Sequence, residues 1–120
     1  MNQLLEKLKC MDCDIDGAMS RFLDNEEFYV RCLKKMLLDP SFALLGEALR
    51  DGDVDKAFHH AHTLKGVVAN MGLTPLYDLI VRIVEPLRAG HMEDGLLDAY
   101  QRVFAQRDSY QKLLETMGLS

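Results

Sequence analysis

The chain is short of basic residues. Its 14 Lys and Arg stand against 19 Asp and Glu, for a net charge of -5. A general nucleic-acid binder needs surplus cations to neutralise phosphates, so the charge argues against that class and leaves only a local basic spot open. Cysteines are few and odd in number: Cys10, Cys13 and Cys32. An odd count of thiols argues against a disulfide framework. The opening stretch, MNQLLEKLK, carries charges where a secretory leader has its apolar core. Together these predict a reducing, cytoplasmic setting. No apolar run approaches the roughly 18 residues of a membrane span, so no membrane partner is expected. The three prolines and the absence of alternating β-branched runs leave strands without support. Internal repeats and low-complexity stretches are absent too.

What the chain does have is helical spacing. At 120 residues it reads as one domain, residues 1–120, large enough to bury a core without staples. Up to about Leu23 one or two short helices are expected, with Ile15, Met19, Phe22 and Leu23 as their buried edge. Asp24 resembles an N-cap, with Glu27 three residues on. Phe28, Cys32, Leu33, Met36 and Leu37 then repeat at helical intervals. Pro40 should end or kink that helix. The pattern resumes at Phe42, Leu45, Ala48 and Leu49. After a turn at RDGD, Asp53 is a suitable N-cap for the next helix, about 54–71. Gly72 can close it. Thr74 and Pro75 supply an N-cap and an N1 proline for the helix that follows. Pro86 should distort that helix's last turn, and Gly90 should end it. A final helix carries Leu96, Tyr100, Val103, Phe104, Tyr110, Leu114 and Met117. Amphipathic helices on short turns lie antiparallel to their neighbours. The expected fold is all-α: an antiparallel four-helix bundle with an additional short N-terminal helix. The seven methionines read as core filling.

The stretch HHAHTLKGVVANMG, residues 59–72, holds three of the four histidines. On a wheel of about 100° per residue, Ala57, Leu64, Val67, Val68 and Met71 lie opposite His62, with Ala61 at their edge. That stripe should face the core and turn His62 outward. Asp55, Phe58, His59, Lys65, Gly66 and Ala69 share its face. His60 falls near the apolar stripe and is expected to be packed and hydrogen-bonded, and His59 to be solvated. Gly66 costs on the order of 1 kcal/mol relative to Ala in a helix interior. Small residues at Gly66 and Ala69 clear the surface around His62, and Lys65 lies within reach of an anion on it. A close helix contact at Gly66 would explain the glycine without any such role.

An exposed imidazole with a cation beside it and a cleared approach suits phosphoryl chemistry. Imidazole is largely neutral near pH 7 and nucleophilic without an activating base. Transfer of a phosphoryl group is mainly a matter of positioning and charge neutralisation. The chain has no GxxxxGK[ST] loop and no glycine-rich nucleotide cover. A phosphoryl group would therefore come from another protein, and no autonomous ATP-dependent kinase activity is expected.

AHTLKGVVANMG, from Ala61 to Gly72, closely resembles the signature of histidine-containing phosphotransfer (HPt) domains: His62, then Leu64, Lys65 and Gly66, then Gly72. LYDLIVRIVEPLRAG is similar to the family's next helix, and DIDGAMSRFLDNEEFYVRCLKKML to its opening helices. The resemblance spans about residues 14–114. It implies an antiparallel four-helix bundle and a phosphoacceptor at His62. It implies that Lys65 steadies the phosphoryl group and that Gly66 gives steric access. It implies docking through Phe58, His59 and Ala69. The partners implied are receiver domains of a hybrid sensor histidine kinase, of a response regulator, or of both. The Mg²⁺ implied belongs to the receiver, so no cofactor and no metal are expected on this chain, and a monomer is expected. Two features depart from the family's pattern. Val67 and Val68 stand where small or hydroxyl residues are common, and Val84 is apolar where an acidic or amide residue often stands in the next helix.

Two other readings compete. Cys10 and Cys13 form a C-x-x-C pair, and His59 and His62 lie three apart on one helical face, a possible tetrahedral zinc set. Alternatively, the chain is a helical interaction module in which His62 is never phosphorylated.

Overall fold

The computed structural model describes residues 2–119, and among them it contains seven helices and no strand. They are α1 (Gln3–Cys10), α2 (Ile15–Arg21), α3 (Glu26–Leu37), α4 (Ser41–Asp51), α5 (Val54–Asn70), α6 (Thr74–Arg88) and α7 (Leu96–Thr116). Side chains set several starts by accepting a backbone amide of the first turn. Asn2 accepts from Leu5 at 2.9 Å, Asp14 from Gly17 at 3.1 Å, Asn25 from Phe28 at 3.0 Å and Asp53 from Lys56 at 3.1 Å. Left-handed glycines close others, with φ of +70° at Gly52, +73° at Gly72 and +83° at Gly90. Past Gly90, the His91 amide returns to the Pro86 carbonyl at 3.0 Å. That bond satisfies a carbonyl the helix end would otherwise leave unpaired.

Helices α4 to α7 form the bundle: α4 packs on α5, α5 on α6, α6 on α7, and α7 returns to α4. Leu45, Leu64, Val68, Ile80, Ile83, Val84, Val103 and Leu114 are fully buried between them. Each such side chain contributes about 1.5–3 kcal/mol over leaving it in water. Where α4 meets α7, Gly46 makes room for the ring of Tyr100, and the Tyr100 hydroxyl donates to the Phe42 carbonyl at 2.8 Å. Any larger residue at Gly46 would strike that ring.

Three helices precede the bundle, two in the stretch up to Leu23 and one over the repeat from Phe28 to Leu37, as expected, but their details differ. Asp12, Leu23 and Asp24 adopt left-handed backbone, with φ of 66°, 54° and 58°, and these residues break the region into pieces. Leu23 is thrown outward by its turn and is 88 % exposed, against its expected place on the buried edge. The α3 cap falls on Asn25 instead of Asp24. Phe28 is exposed on α3, and Tyr29 takes the core position beside it. The α6 cap falls on Leu73 instead of Thr74, whose hydroxyl turns back to the Gly72 carbonyl. Helix α6 runs on through Pro86 to Arg88, because a missing N–H this close to a helix end removes one bond without stopping the turn. Met19, Met36 and Met71 are buried as core filling.

These first helices hold the C-terminal end of α5. The Arg21 guanidinium donates to the carbonyls of Ala69 at 3.1 Å and Asn70 at 3.0 Å. The buried Tyr29 hydroxyl donates to the Met71 carbonyl at 2.8 Å. A cation at a helix C-terminus also meets the negative end of the dipole. Helix α5 is thus packed between α4 and α6 and pinned at its end, a rigid base for its exposed face.

Candidate functional site

Helix α5 divides as the wheel predicts. Ala57, Ala61, Leu64, Val68 and Met71 are buried, and Val67 is half-buried at the margin. The valines at the family's small or hydroxyl positions therefore serve packing. His62, His59, Gly66 and Ala69 are exposed, while Phe58 and Lys65 are half-buried. Val84 is fully buried in the core, so that position of α6 gives the exposed face no polar group.

The histidines sort into two arrangements. His59 and His60 pack edge to face, with ring centroids 5.2 Å apart. His60 is half-buried, and the ring it meets is that of His59, where a hydrogen-bond partner was expected. His62 stands apart from that pair. Its ring lies 5.5 Å from the Phe58 ring at an interplanar angle of 36°. Across from it, the Arg88 guanidinium of α6 sits 5.4 Å from the Phe58 centroid and 3.8 Å from Glu85.

Gly66, one turn after His62, has open space where a Cβ would stand, with no atom beyond its own turns of helix within 4 Å. The explanation by a close helix contact therefore fails. No packing among the described residues requires glycine there, although glycine costs helix stability. Lys65 forms no ion pair among the described residues, so its ammonium is available to an incoming anion. The Thr63 hydroxyl is spent on its own helix, donating to the His59 carbonyl at 2.9 Å. Beside Gly66 a cleft of about 310 Å³ opens toward α3, lined by Cys32, Lys35, Met36, Asp39 and Asn70 among others.

The site has features that sequence reasoning missed. Arg88 was not singled out, although an antiparallel α6 brings its last turn beside the first turns of α5. The α3 residues of the cleft carry no signal in the sequence, because nothing local says on which side of α5 that helix lies.

The zinc set does not assemble. Cys10 is exposed on α1, whereas Cys13 is buried with its sulfur 3.7 Å from the Tyr110 hydroxyl. Burial pushes the Cys13 thiol pKa up, away from the thiolate a metal needs. Among the described residues no three His, Cys, Asp or Glu side chains form a group that could hold a metal ion.

The helical bundle thus presents an exposed histidine, a lysine in no ion pair among the described residues and an unobstructed glycine along one face. A family model, the Hpt domain, matches residues 38–116, and the chain belongs to that family. The match covers α4 to α7, the whole of the bundle, and leaves α1 to α3 outside it. Histidine phosphotransfer within phosphorelays, in exchange with receiver domains, is the general function that membership carries. No curated protein and no solved structure matches the chain. No helix among the described residues is long and apolar enough to cross a membrane.

Proposed function

We propose that His62 accepts a phosphoryl group from the phospho-aspartate of one receiver domain and passes it to the aspartate of another. The observation that carries this reading is the empty space around Gly66, a helix-weakening residue that no contact among the described residues demands, one turn from an exposed imidazole. The unprotonated ring nitrogen of neutral His62 attacks phosphorus. The P–N bond forms as the acyl phosphate P–O bond breaks, and the aspartate leaves as carboxylate. The other ring nitrogen keeps its proton. The acyl phosphate and the phosphoramidate are both good phosphoryl donors, so the step can run in either direction.

Lys65 neutralises charge on the phosphoryl oxygens in transit. Gly66 and Ala69 let the receiver's active site reach the imidazole. Phe58 and His59 supply contact area around it, and the cleft toward α3 extends that surface past Gly66. The metal of the reaction is the receiver's Mg²⁺, and this chain contributes no cofactor. The working form is a cytoplasmic monomer meeting receivers of a hybrid sensor kinase, of a response regulator, or of both in turn.

Intact-mass measurement after incubation with a phosphorylated receiver tests the assignment. One added phosphoryl group, labile to acid and absent from His62→Gln, is the expected result. Full labelling of His62→Gln would overturn the assignment. No adduct on the native chain across a panel of receivers would favour a helical interaction module without phosphorylation.

A further inference from the structure

His62 has opposite surroundings one turn to either side. Four residues before it stands an aromatic ring, and four residues after it stands bare backbone. An exposed histidine on a smooth helix turns freely, because its χ2 torsion is broad and roughly two-fold. In-line attack on phosphorus needs one ring nitrogen held on a single line of approach, and small misplacements of reacting groups cost large factors in rate.

We infer that Phe58 is a positioning residue for the His62 imidazole and that Arg88 holds Phe58 in that place. This rests on His62 being the phosphoacceptor. The ring separation of 5.5 Å falls within the range of attractive aromatic contact. Phe58 is half-buried and packs on the core, so its ring has a fixed foundation. The Arg88 guanidinium lies 5.4 Å from the centroid of the same ring, inside the distance for cation–π attraction. Arg88 is itself tethered toward Glu85, its neighbour on α6. The result is a short ladder, Glu85 to Arg88 to Phe58 to His62, that ties the imidazole to a second helix. The ring walls off the N-terminal side of His62 and leaves the side over Gly66 open. An arriving phosphoryl group then meets the imidazole from one direction. His59 lacks this support, since its ring partner is His60.

A docking contact and a positioning contact separate kinetically. Single-turnover transfer from a phosphorylated receiver, followed over a range of receiver concentrations, gives a saturating rate and a half-saturating concentration. Phe58→Leu keeps an apolar side chain for docking but removes the ring, so it should lower the saturating rate by about tenfold, a larger factor than any change in the half-saturating concentration. Phe58→Tyr, which keeps the ring, should restore the rate. Arg88→Ala should act in the same direction with a smaller factor. Without any donor, the His62 ring-proton NMR resonances should move in Phe58→Leu and hold in Phe58→Tyr, because the ring current goes with the aromatic side chain. Thermal unfolding of each variant shows that the fold is kept. A raised half-saturating concentration at an unchanged saturating rate would reduce Phe58 to a docking contact and overturn the inference. Unmoved His62 resonances would overturn it as well. Failure of the phosphoacceptor reading looks different: the unaltered chain would take no phosphoryl group, or His62→Gln would be labelled in full.

Discussion

The backbone amide of Asp14 donates to the carbonyl of Gly72 at 2.8 Å, which seats the start of α2 on the end of α5. Gly72 has φ of +73°, and a Cβ placed on it would collide with the Asp14 carbonyl and crowd Ala18. Gly72→Ala therefore meets two penalties at once. The left-handed backbone costs about 1–2 kcal/mol with a side chain present, and α2 must move away from its seat. A loss of at least about 2 kcal/mol in urea unfolding is expected. A loss below about 0.5 kcal/mol would mean that α2 shifts freely and that this junction does not hold the end of α5.

Gly66 should behave in the opposite way. Its backbone is helical and nothing beyond its own turns of helix lies within 4 Å of the added methyl group, so Gly66→Ala should stabilise the chain by up to about 1 kcal/mol. The same methyl stands on the surface a receiver must approach. Transfer from a receiver should slow, and a bulkier Gly66→Leu should slow it further, while unfolding measurements show no loss of stability. An undiminished transfer rate in Gly66→Leu would remove steric access as the reason for this glycine.

The contrast between these two glycines marks how far the sequence alone could lead. Helix existence was legible, since Asp53, Pro40, Gly72 and Gly90 punctuate the chain by local chemistry. The faces of α5 were legible because its apolar stripe is wide and unbroken. That placed His62, Gly66 and Ala69 outward and Val68 inward without knowledge of any neighbour. What failed depended on the third dimension. Leu23 looked like a core residue until a left-handed turn pointed it outward. His60 sits near the stripe as expected, but its neighbour is His59 and not a hydrogen-bond partner. The contact of Arg88 with Phe58 depends on the register of two helices, which single-helix periodicity does not encode.

Lys65 tests the electrostatic part of the mechanism. It is half-buried and makes no ion pair among the described residues, so its removal leaves no buried partner stranded. Lys65→Ala should change stability by no more than about 0.5 kcal/mol. It should lower the rate of transfer about tenfold or more, the scale expected when one charge-stabilising group of a phosphoryl transfer is lost. Lys65→Arg should recover part of the rate, because the charge returns with a different reach and geometry. Stopped-flow mixing with a phosphorylated receiver checks this directly. Equal rates for Lys65→Ala and the unaltered chain would assign the lysine to solubility alone.

Stability should be lost in alkali, and the tyrosines determine where. Tyr29 and Tyr110 are almost wholly buried, and burial is the leading cause that raises the pKa of each well above the ordinary value of 10.0. In the unfolded chain both ionise near pH 10. The folded state then binds more protons than the unfolded state, so stability falls as pH rises. The contribution is fully present below pH 10 and drains away above it, up to the raised folded pKa. Each tyrosine adds a slope approaching about 1.4 kcal/mol per pH unit in that window. The midpoint of urea unfolding should hold level from pH 8 to 9 as far as these two groups are concerned and drop steeply beyond pH 10. Tyr29→Phe should flatten the fall by one group's share. At neutral pH the same substitution should cost about 1 kcal/mol, because the Met71 carbonyl loses the hydroxyl that satisfies it. An unchanged alkaline slope in Tyr29→Phe would mean that Tyr29 reaches solvent before the chain unfolds, and that the hold of α3 on the end of α5 opens locally.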